Sequence, residues 1–191
     1  NYTAATQAFA TAVGNEAYAA GISSTAVGSY AVATGYNSTT VGSGAYSTGQ
    51  GATAVGALSN ASGDLSLAAG YSAFATGTAS TAVGNTAAAY GAYSTAVGSN
   101  AYASGSQSLA MGFGAQATGD YSVAIGSGAN TNGYANSVAL GAGSQAAAPN
   151  PTGGTTINGT YYAFAGATPT SVVSVGAPGA ERQITNVAAG Q

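Results

Sequence analysis

Glycine recurs at every seventh position over most of the chain. The series begins at Gly14 and continues without interruption to Gly133, and the next glycine of the pattern, Gly141, follows after eight residues. Between the glycines, segments such as STAVG (94–98) alternate with segments such as AYASG (101–105). The repeating unit is therefore 14 residues long, and an internal repeat of this kind constrains the fold more than any other feature.

The repeat favours a β-solenoid over a helix or a disordered chain. Two glycines per unit cost a helix roughly 2 kcal/mol relative to alanine, and the intervening Ser and Thr add to that cost. A disordered chain need not keep strict spacing, and 46% hydrophobic residues is a high content for one. We predict stacked coils of two short strands joined by tight turns. Glycine is expected at the turns, where positive φ or close approach excludes a side chain.

Three columns of small residues predict the interior of each coil. Stacking places equivalent residues above one another at roughly 4.8 Å. The columns that begin at Ala12, Ala17 and Ala19 contain almost only alanine, with an occasional Ser or Thr. A coil with little more than methyl groups between its two strands must be very flat.

The residues that flank the Ala12 column predict an apolar outer face. Side chains alternate across a strand, so these neighbours point away from the interior. Leu67 replaces the usual threonine at the one coil where Ala69 is small. An apolar stripe of this length would aggregate in water, so we expect it to be buried between subunits of a closed oligomer. The predicted interface consists of Val13, Val27, Val41, Val55, Leu67, Val83, Val97, Met111, Ile125 and Leu140.

The opposite strand carries a mixed column in which aromatic residues recur at every second coil. They are Tyr18, Tyr46, Phe74 and Tyr102. One interpretation is an exposed ladder that contacts a binding partner. The other is that tyrosine serves as an ordinary exposed strand residue. Both stay open at this point, and the four residues form the candidate ligand face.

Composition argues against catalysis and nucleic-acid binding. The chain has no Cys, His, Trp or Lys, and Arg182 is its only basic residue. Phosphate groups would therefore meet almost no positive charge, and no His or Lys is present to activate a Ser or Thr nucleophile. We expect no enzymatic activity, no cofactor and no metal site. The chain lacks an 18-residue apolar run and a signal-like segment, and we interpret it as a piece of a larger protein.

The C-terminal part departs from the repeat. The spacing fails from Ala146, and residues 146–160, which contain two prolines and paired glycines, are predicted to be a loop. Residues 160–166 and 171–175, on either side of Pro169, are predicted to be two short strands of a hairpin-like excursion packed on the last coils.

Several segments resemble the heads of trimeric autotransporter adhesins of the YadA-like family. YSVAIGSGANTNG (121–133) and NSVALGAGSQA (136–146) are similar to the head repeats of that family. NGTYYAFAGATPTSVVSVG (158–176) resembles its head-insert motif, and SVVSVGAPGAERQITNVAAG (171–190) resembles the neck that follows the head. The resemblance covers nearly the whole chain. It implies head repeats over residues 1–146, a loop or hairpin insert over 147–173 and a neck over 174–191.

The resemblance implies an all-β fold, a left-handed parallel β-roll solenoid of 14-residue coils that forms a homotrimer. It also implies a bacterial cell-surface location, with an outer-membrane anchor outside this chain. The implied function is attachment to host cells, to matrix proteins such as collagen, fibronectin or laminin, or to other bacteria. Two alternatives stay open, a passive spacer within a surface fibre and an ice-binding solenoid. Replacement of column threonines by Leu67, Leu109 and Val123 fits a buried seam better than an ice-binding face.

The few charged residues receive structural interpretations. Glu181 and Arg182 lie in the neck, near the three-fold axis that the resemblance implies. They are interpreted either as an intersubunit ion pair that fixes trimer register or as a solvated pair that contributes little. Asp64 and Asp120 directly follow turn glycines and are predicted to accept hydrogen bonds from nearby backbone.

Overall fold

The computed structural model describes residues 2–188, which form two parallel β-sheets stacked face to face and a small antiparallel hairpin. From β1 to β18, consecutive strands alternate between the two sheets, so each coil contributes one strand to each sheet. Sheet A consists of β1 (Ala4–Ala5), β3 (Tyr18–Ala19), β5 (Val32–Ala33), β7 (Tyr46–Ser47), β9 (Asn60–Ala61), β11 (Phe74–Ala75), β13 (Ala88–Ala89), β15 (Tyr102–Ala103) and β17 (Gln116–Ala117). Sheet B consists of β2 (Thr11–Val13), β4 (Thr25–Val27), β6 (Thr39–Val41), β8 (Thr53–Val55), β10 (Leu67–Ala69), β12 (Thr81–Val83), β14 (Thr95–Val97), β16 (Leu109–Met111), β18 (Val123–Ile125), β19 (Val138–Leu140) and β22 (Val173–Ser174). The predicted solenoid of two-stranded, 14-residue coils is confirmed.

Hydrogen bonds between coils run around the whole circumference. In the sheets, the Thr81 N–H donates to the Ser94 carbonyl at 2.9 Å, and the Gly98 N–H donates to the Val83 carbonyl at 2.8 Å. At the corners the pattern continues, for example from the Tyr30 N–H to the Asn15 carbonyl at 2.9 Å. Each coil therefore supplies hydrogen-bond partners for the backbone N–H and C=O groups of its neighbours. These bonds hold the two-residue strands in place although the interior side chains are small.

Alanine methyl groups fill the space between the sheets, as the three small columns predict. The alanines of the sheet B column from Ala26 to Ala139 are completely buried, and so are those of the two sheet A columns from Ala17 to Ala129 and from Ala19 to Ala117. The largest fully buried side chains among residues 2–188 are Thr40 and Thr131. The coils are therefore as flat as the sequence predicts.

A fourth interior column, which the sequence interpretation missed, consists of serine. It precedes each sheet B strand, and its members are at most 2% exposed. Serine occupies barely more space than alanine. The Ser108 hydroxyl donates to the Gly105 carbonyl at 2.7 Å, whereas the buried hydroxyls of Ser38, Ser66, Ser80 and Ser94 have no hydrogen-bond partner among the described residues. The column consists of Ser24, Ser38, Ser66, Ser80, Ser94, Ser108, Ser122 and Ser137, with Ala52 completing it.

The corner glycines exclude side chains for two different physical reasons. Gly98, after a sheet B strand, has φ of +130°, and a Cβ there would lie 2.6 Å from the Gly112 carbonyl oxygen. Gly105, after a sheet A strand, does not have positive φ. A Cβ at Gly105 would nevertheless lie 2.0 Å from the Gly119 carbonyl oxygen. The predicted use of glycine is confirmed, with conformation and close approach both acting in one column and close approach alone in the other.

The left-handed residue of most corners is not the periodic glycine but the second residue after it. Tyr93 has φ of +58° and Thr86 has φ of +52°, and the equivalent position is glycine at only some corners, such as Gly114. Left-handed conformations cost non-glycine residues roughly 1–2 kcal/mol. The coils therefore retain local backbone strain that the inter-coil hydrogen bonds offset.

The single break in the glycine spacing lies one corner earlier than the sequence indicates. Ala124 is in register with Ala139, so the last full coil has 15 residues. Gly119 stacks beneath Tyr134, and the space around Gly133 is open. Gly133 is therefore a residue of an enlarged corner and not a member of the stacked glycine column.

The C-terminal hairpin pairs different segments from those predicted. Strands β20 (Gly154–Ile157) and β21 (Thr160–Ala163) are antiparallel, so residues 154–157 are not part of a loop. Strand β22 instead extends sheet B by parallel pairing with β19. Asn158 and Gly159 both have positive φ, which is the two-residue turn that an Asn-Gly pair favours. That dipeptide was the overlooked sequence signal.

No helix within residues 2–188 is long and apolar enough to cross a membrane.

Candidate functional site

The outward side of sheet B carries the apolar stripe predicted from the sequence. Val13, Val41 and Val83 are 36–55% exposed, whereas Thr40 and Ala82, which precede the latter two in their strands, are fully buried. Consecutive members lie in parallel register, such as Val83 with Val97 and Met111 with Ile125. The exposed members are Val13, Val41, Val55, Val83, Met111 and Leu140, and the half-buried members are Val27, Leu67, Val97 and Ile125. The structure places all ten residues on this one face of the single chain.

The stripe becomes wider towards the C terminus. Leu67 lies in the neighbouring threonine column, where it pairs with Thr53 and Thr81. Ala69 is the small residue of the valine column at that coil. In β16, β18 and β19 both outward positions are apolar, whereas most earlier coils have threonine in one of them. The three coils that contain β16, β18 and β19 therefore present the broadest apolar surface of sheet B.

The outward side of sheet A carries the aromatic ladder, defined as Tyr18, Tyr46, Phe74 and Tyr102. The three tyrosines are 38–44% exposed and Phe74 is half-buried. In the parallel register, Val32, Asn60 and Ala88 separate consecutive members. Two strand spacings correspond to about 9.6 Å, so the four rings extend over about 29 Å.

A column of hydroxyl-bearing residues runs beside the ladder on the same face. Its members are exposed or half-buried and are Thr34, Thr48, Ser62, Thr76, Tyr90, Ser104 and Thr118. The Tyr90 ring contacts the Tyr102 ring edge to face, with ring centroids 5.5 Å apart and planes at 64°. Ala88, between Phe74 and Tyr102 in the register, is only 7% exposed. At this end of the ladder the rings therefore pack on their neighbours, which restricts their rotamers.

Charged residues lie outside both faces. Asp64 Oδ1 accepts a 2.9 Å hydrogen bond from the Gln50 N–H, and Asp120 Oδ1 accepts one of 2.8 Å from the Ser106 N–H. Both donors lie one coil earlier in the stack. The predicted carboxylate–backbone bonds are therefore present, but they join adjacent coils instead of closing a local turn.

The neck charges contact their own chain and not each other. Arg182 Nη1 donates to Ser144 Oγ at 2.8 Å and to the Val175 carbonyl at 2.6 Å, and Nη2 donates to the Ala142 carbonyl. The Gly179 N–H donates to Glu181 Oε1 at 2.9 Å and holds the pKa of that carboxyl below its ordinary value. In the single chain, Arg182 therefore joins the neck to the corner of the last coil. An intersubunit contact of these residues stays a prediction, and residues 189–191 of the predicted neck lie outside the described residues.

The part of the chain that the structure describes contains no group of three His, Cys, Asp or Glu side chains suited to a metal ion. The two outward faces are thus the features that remain to be given a function.

Comparison with known proteins identifies the repeat. The YadA head domain repeat matches residues 5–31, 19–45, 33–59, 47–73, 61–85, 75–101, 103–129 and 135–150. A 50-residue segment is 62% identical to the autotransporter adhesin BtaE of Brucella suis biovar 1 (strain 1330). That match covers 26% of this chain and 7% of the Brucella protein, so the chain corresponds to a small part of that relative's length.

Two solved structures are also similar. The C-terminal YadA-like domain of BPSL2063 from Burkholderia pseudomallei is 55% identical, with a TM-score of 0.37 over 39% of this chain and 34% of that one. The crystal structure of the collagen-binding domain of the Yersinia adhesin YadA is 31% identical, with a TM-score of 0.59 over 92% of this chain and 78% of that one. Because the repeats match most of residues 5–150 and the Yersinia domain covers nearly the whole chain, this chain belongs to the YadA head family of bacterial surface adhesins.

Proposed function

We propose that the chain is the head of a homotrimeric adhesin that attaches a bacterium to an extracellular-matrix protein or to a host cell surface. The observation that carries the proposal is the similarity of 92% of the chain to a collagen-binding domain. The two outward faces of the β-roll differ in composition: sheet B is apolar, and sheet A carries a mixture of aromatic and hydroxyl-bearing side chains. We assign sheet B to assembly and sheet A to attachment.

Burial of the sheet B stripe is the reason for assembly. A contiguous apolar stripe of half-exposed Val, Met, Ile and Leu side chains is unfavourable in water. Because each side chain is already about half buried, covering the rest stabilises by about half of the roughly 1.5–3 kcal/mol gained by burying a fully exposed one. A closed ring of three subunits covers every copy of the stripe and leaves none for further association. Sheet A then faces outwards on all three subunits.

Attachment through sheet A would depend on shape and avidity more than on charge. The five charged side chains of the chain lie at corners or in the neck, so electrostatic steering by this face is weak. Repeated coils in three subunits supply many similar weak contacts, and a fibrous ligand that spans several of them gains affinity through avidity.

The test is solid-phase binding of the assembled protein to collagen, fibronectin and laminin. We expect saturable binding to at least one of them that changes little between 50 and 500 mM salt, since few charges are involved. The ladder variant Y18S/Y46S/F74S/Y102S should bind at least tenfold more weakly while keeping the parent's mass in solution. A matched control is the corner variant F9S/Y30S/Y93S/Y121S, which removes one Phe and three Tyr that are 51–87% exposed at corners. It should bind like the parent.

Two results would count against the proposal. Unchanged binding by the ladder variant would remove the sheet A aromatics from the attachment site. A well-folded assembly that binds no matrix protein and no host cell would instead favour the passive spacer.

A further inference from the structure

We infer that the aromatic ladder and the adjacent hydroxyl column form a binding surface for an uncharged, extended polysaccharide chain. The inference rests on the assignment of sheet A to attachment and names the chemical class of ligand that this face fits. Three properties of the face carry it: the spacing of the rings, the hydroxyl column beside them, and the absence of charge.

The rings are spaced for a polymer with a regular repeat. Tyr18, Tyr46, Phe74 and Tyr102 recur at every second coil, about 9.6 Å apart, in a straight line set by the parallel register. In an extended β-1,4-linked chain each pyranose ring is turned over relative to the one before it, and its advance along the chain is close to the spacing of about 4.8 Å between neighbouring strands. Every second sugar therefore presents the same face, and it does so at about the interval between ladder rings.

The chemistry of the ladder suits the faces of sugar rings. The flat face of a β-linked pyranose presents C–H groups, which carry partial positive charge, to the electron-rich face of an aromatic ring. Tyr18, Tyr46 and Tyr102 expose 38–44% of their surface along the sheet. Tyr102 is already packed against Tyr90, so part of the site is ordered before any ligand binds.

The neighbouring column supplies partners for the sugar hydroxyls. Thr34, Thr48, Ser62 and Thr76 are exposed one column away from the rings. A hydroxyl both donates and accepts a hydrogen bond, which matches the equatorial hydroxyls along the edge of a pyranose chain.

The absence of charge selects an uncharged chain over an anionic one. Glu16, Asp64 and Asp120 lie at corners, and Glu181 and Arg182 lie in the neck, so none of the charged side chains lies on the ladder or in its hydroxyl column. With a formal net charge of −3 and no lysine, the chain has only Arg182, which lies in the neck and not on this face, to neutralise a sulfated or carboxylated glycan.

The experiment measures binding of chitotriose, chitohexaose and cellohexaose to the immobilised assembly by surface plasmon resonance, with heparin as the anionic comparison. We expect weak saturable binding of both hexaoses, at least fivefold weaker binding of chitotriose because it contacts fewer rings, and no binding of heparin. The ladder variant should lose at least tenfold in affinity for chitohexaose, and the corner variant F9S/Y30S/Y93S/Y121S should retain the parent's affinity.

A second variant guards against misfolding. Y18L/Y46L/F74L/Y102L keeps apolar bulk on the strands and removes only the aromatic rings, so it should remain assembled and still lose affinity for chitohexaose. The inference is overturned if neither hexaose binds, if heparin binds more tightly than they do, or if the leucine variant binds chitohexaose like the parent. Binding of a matrix protein without hexaose binding would reject the polysaccharide and leave the adhesin proposal standing, whereas an assembly that binds no hexaose, no matrix protein and no host cell would reject both.

Discussion

Substitution of Gly105 by alanine separates the two reasons for corner glycines. Gly105 does not have positive φ. If backbone conformation alone mattered, Gly105→Ala would stabilise the protein by about 0.4–1 kcal/mol, because alanine lowers the conformational entropy of the unfolded chain. The stacking of coils predicts the opposite, because the added Cβ would lie 2.0 Å from the Gly119 carbonyl oxygen and 2.4 Å from the Gly119 carbonyl carbon.

The size of the effect follows from the displacement required. Ordinary contact begins near 3.4 Å, so adjacent coils must separate locally by more than about 1 Å. That separation weakens the bonds from the Ser104 N–H to the Ala117 carbonyl, 3.0 Å, and from the Ser106 N–H to Asp120 Oδ1, 2.8 Å. At roughly 1 kcal/mol per bond and 1–3 kcal/mol for overpacking, we expect a loss of about 3–5 kcal/mol in the free energy of unfolding.

The matched control is Gly114→Ala. Gly114 has φ of +62° and nothing lies within 4 Å of its added Cβ, so only the left-handed conformation is penalised, at about 1–2 kcal/mol. Urea unfolding followed by circular dichroism at one fixed protein concentration compares the two variants, because unfolding coupled to assembly depends on concentration. A Gly105→Ala protein that is as stable as the parent, or more stable than Gly114→Ala, would refute the close-approach argument.

Two further substitutions test the interior and the corners by the same unfolding measurement. Thr40 Oγ1 shares a buried hydrogen bond with Ser47 Oγ and donates to the Val32 carbonyl at 2.9 Å. Thr40→Ala should lower the free energy of unfolding by about 1–3 kcal/mol, because it leaves the Ser47 hydroxyl unpaired. T40A/S47A should be nearly as stable as the parent, because most coils have alanine at both positions. A double variant that loses as much stability as the two single variants together would contradict this pairing. Thr86 is a β-branched residue with φ of +52°, a conformation that asparagine tolerates better, and asparagine occupies the equivalent position one coil later, at Asn100. Thr86→Asn should therefore raise the free energy of unfolding by about 1 kcal/mol. A lower urea midpoint would count against backbone strain at Thr86.

Much of the roll was predictable because its interior tolerates almost no variation in size. Alanine at Ala54, Ala68 and Ala82 directly reports a gap between sheets too narrow for a larger side chain. The valine stripe followed from strand alternation alone. Serine was harder to place, since a polar residue beside a strand is ordinarily exposed. Only the structure shows that serine fits inside the corner, where the Ser108 hydroxyl donates to the Gly105 carbonyl and the Ser66 and Ser80 hydroxyls are buried without a partner among the described residues.

The remaining differences arise where long-range stacking decides local structure. Gly133 fits the seven-residue spacing but lies in an enlarged corner, because Tyr134 occupies the place above Gly119. The spacing of the glycines alone cannot show whether the one inserted residue lies before Gly133 or between Gly133 and Gly141. The hairpin region contains two competing local signals: Asn158-Gly159 favours a tight turn between strands, whereas the prolines before it favour a loop. The contacts of Arg182 with the last coil span about 40 positions of sequence, and no local pattern indicates them.

We assign separate tasks to the two outward faces, assembly to sheet B and attachment to sheet A. Sedimentation equilibrium tests the assignment of sheet B directly, because a soluble single chain would leave the apolar stripe of sheet B exposed to water. We expect a mass three times the 17.8 kDa of one chain. V83D/V97D should dissociate, because it would bury unpaired charges at several kcal/mol each, and V32D, a Val-to-Asp substitution on sheet A, should remain a trimer. A folded, soluble monomer of the unmodified chain would contradict the assignment of sheet B to assembly.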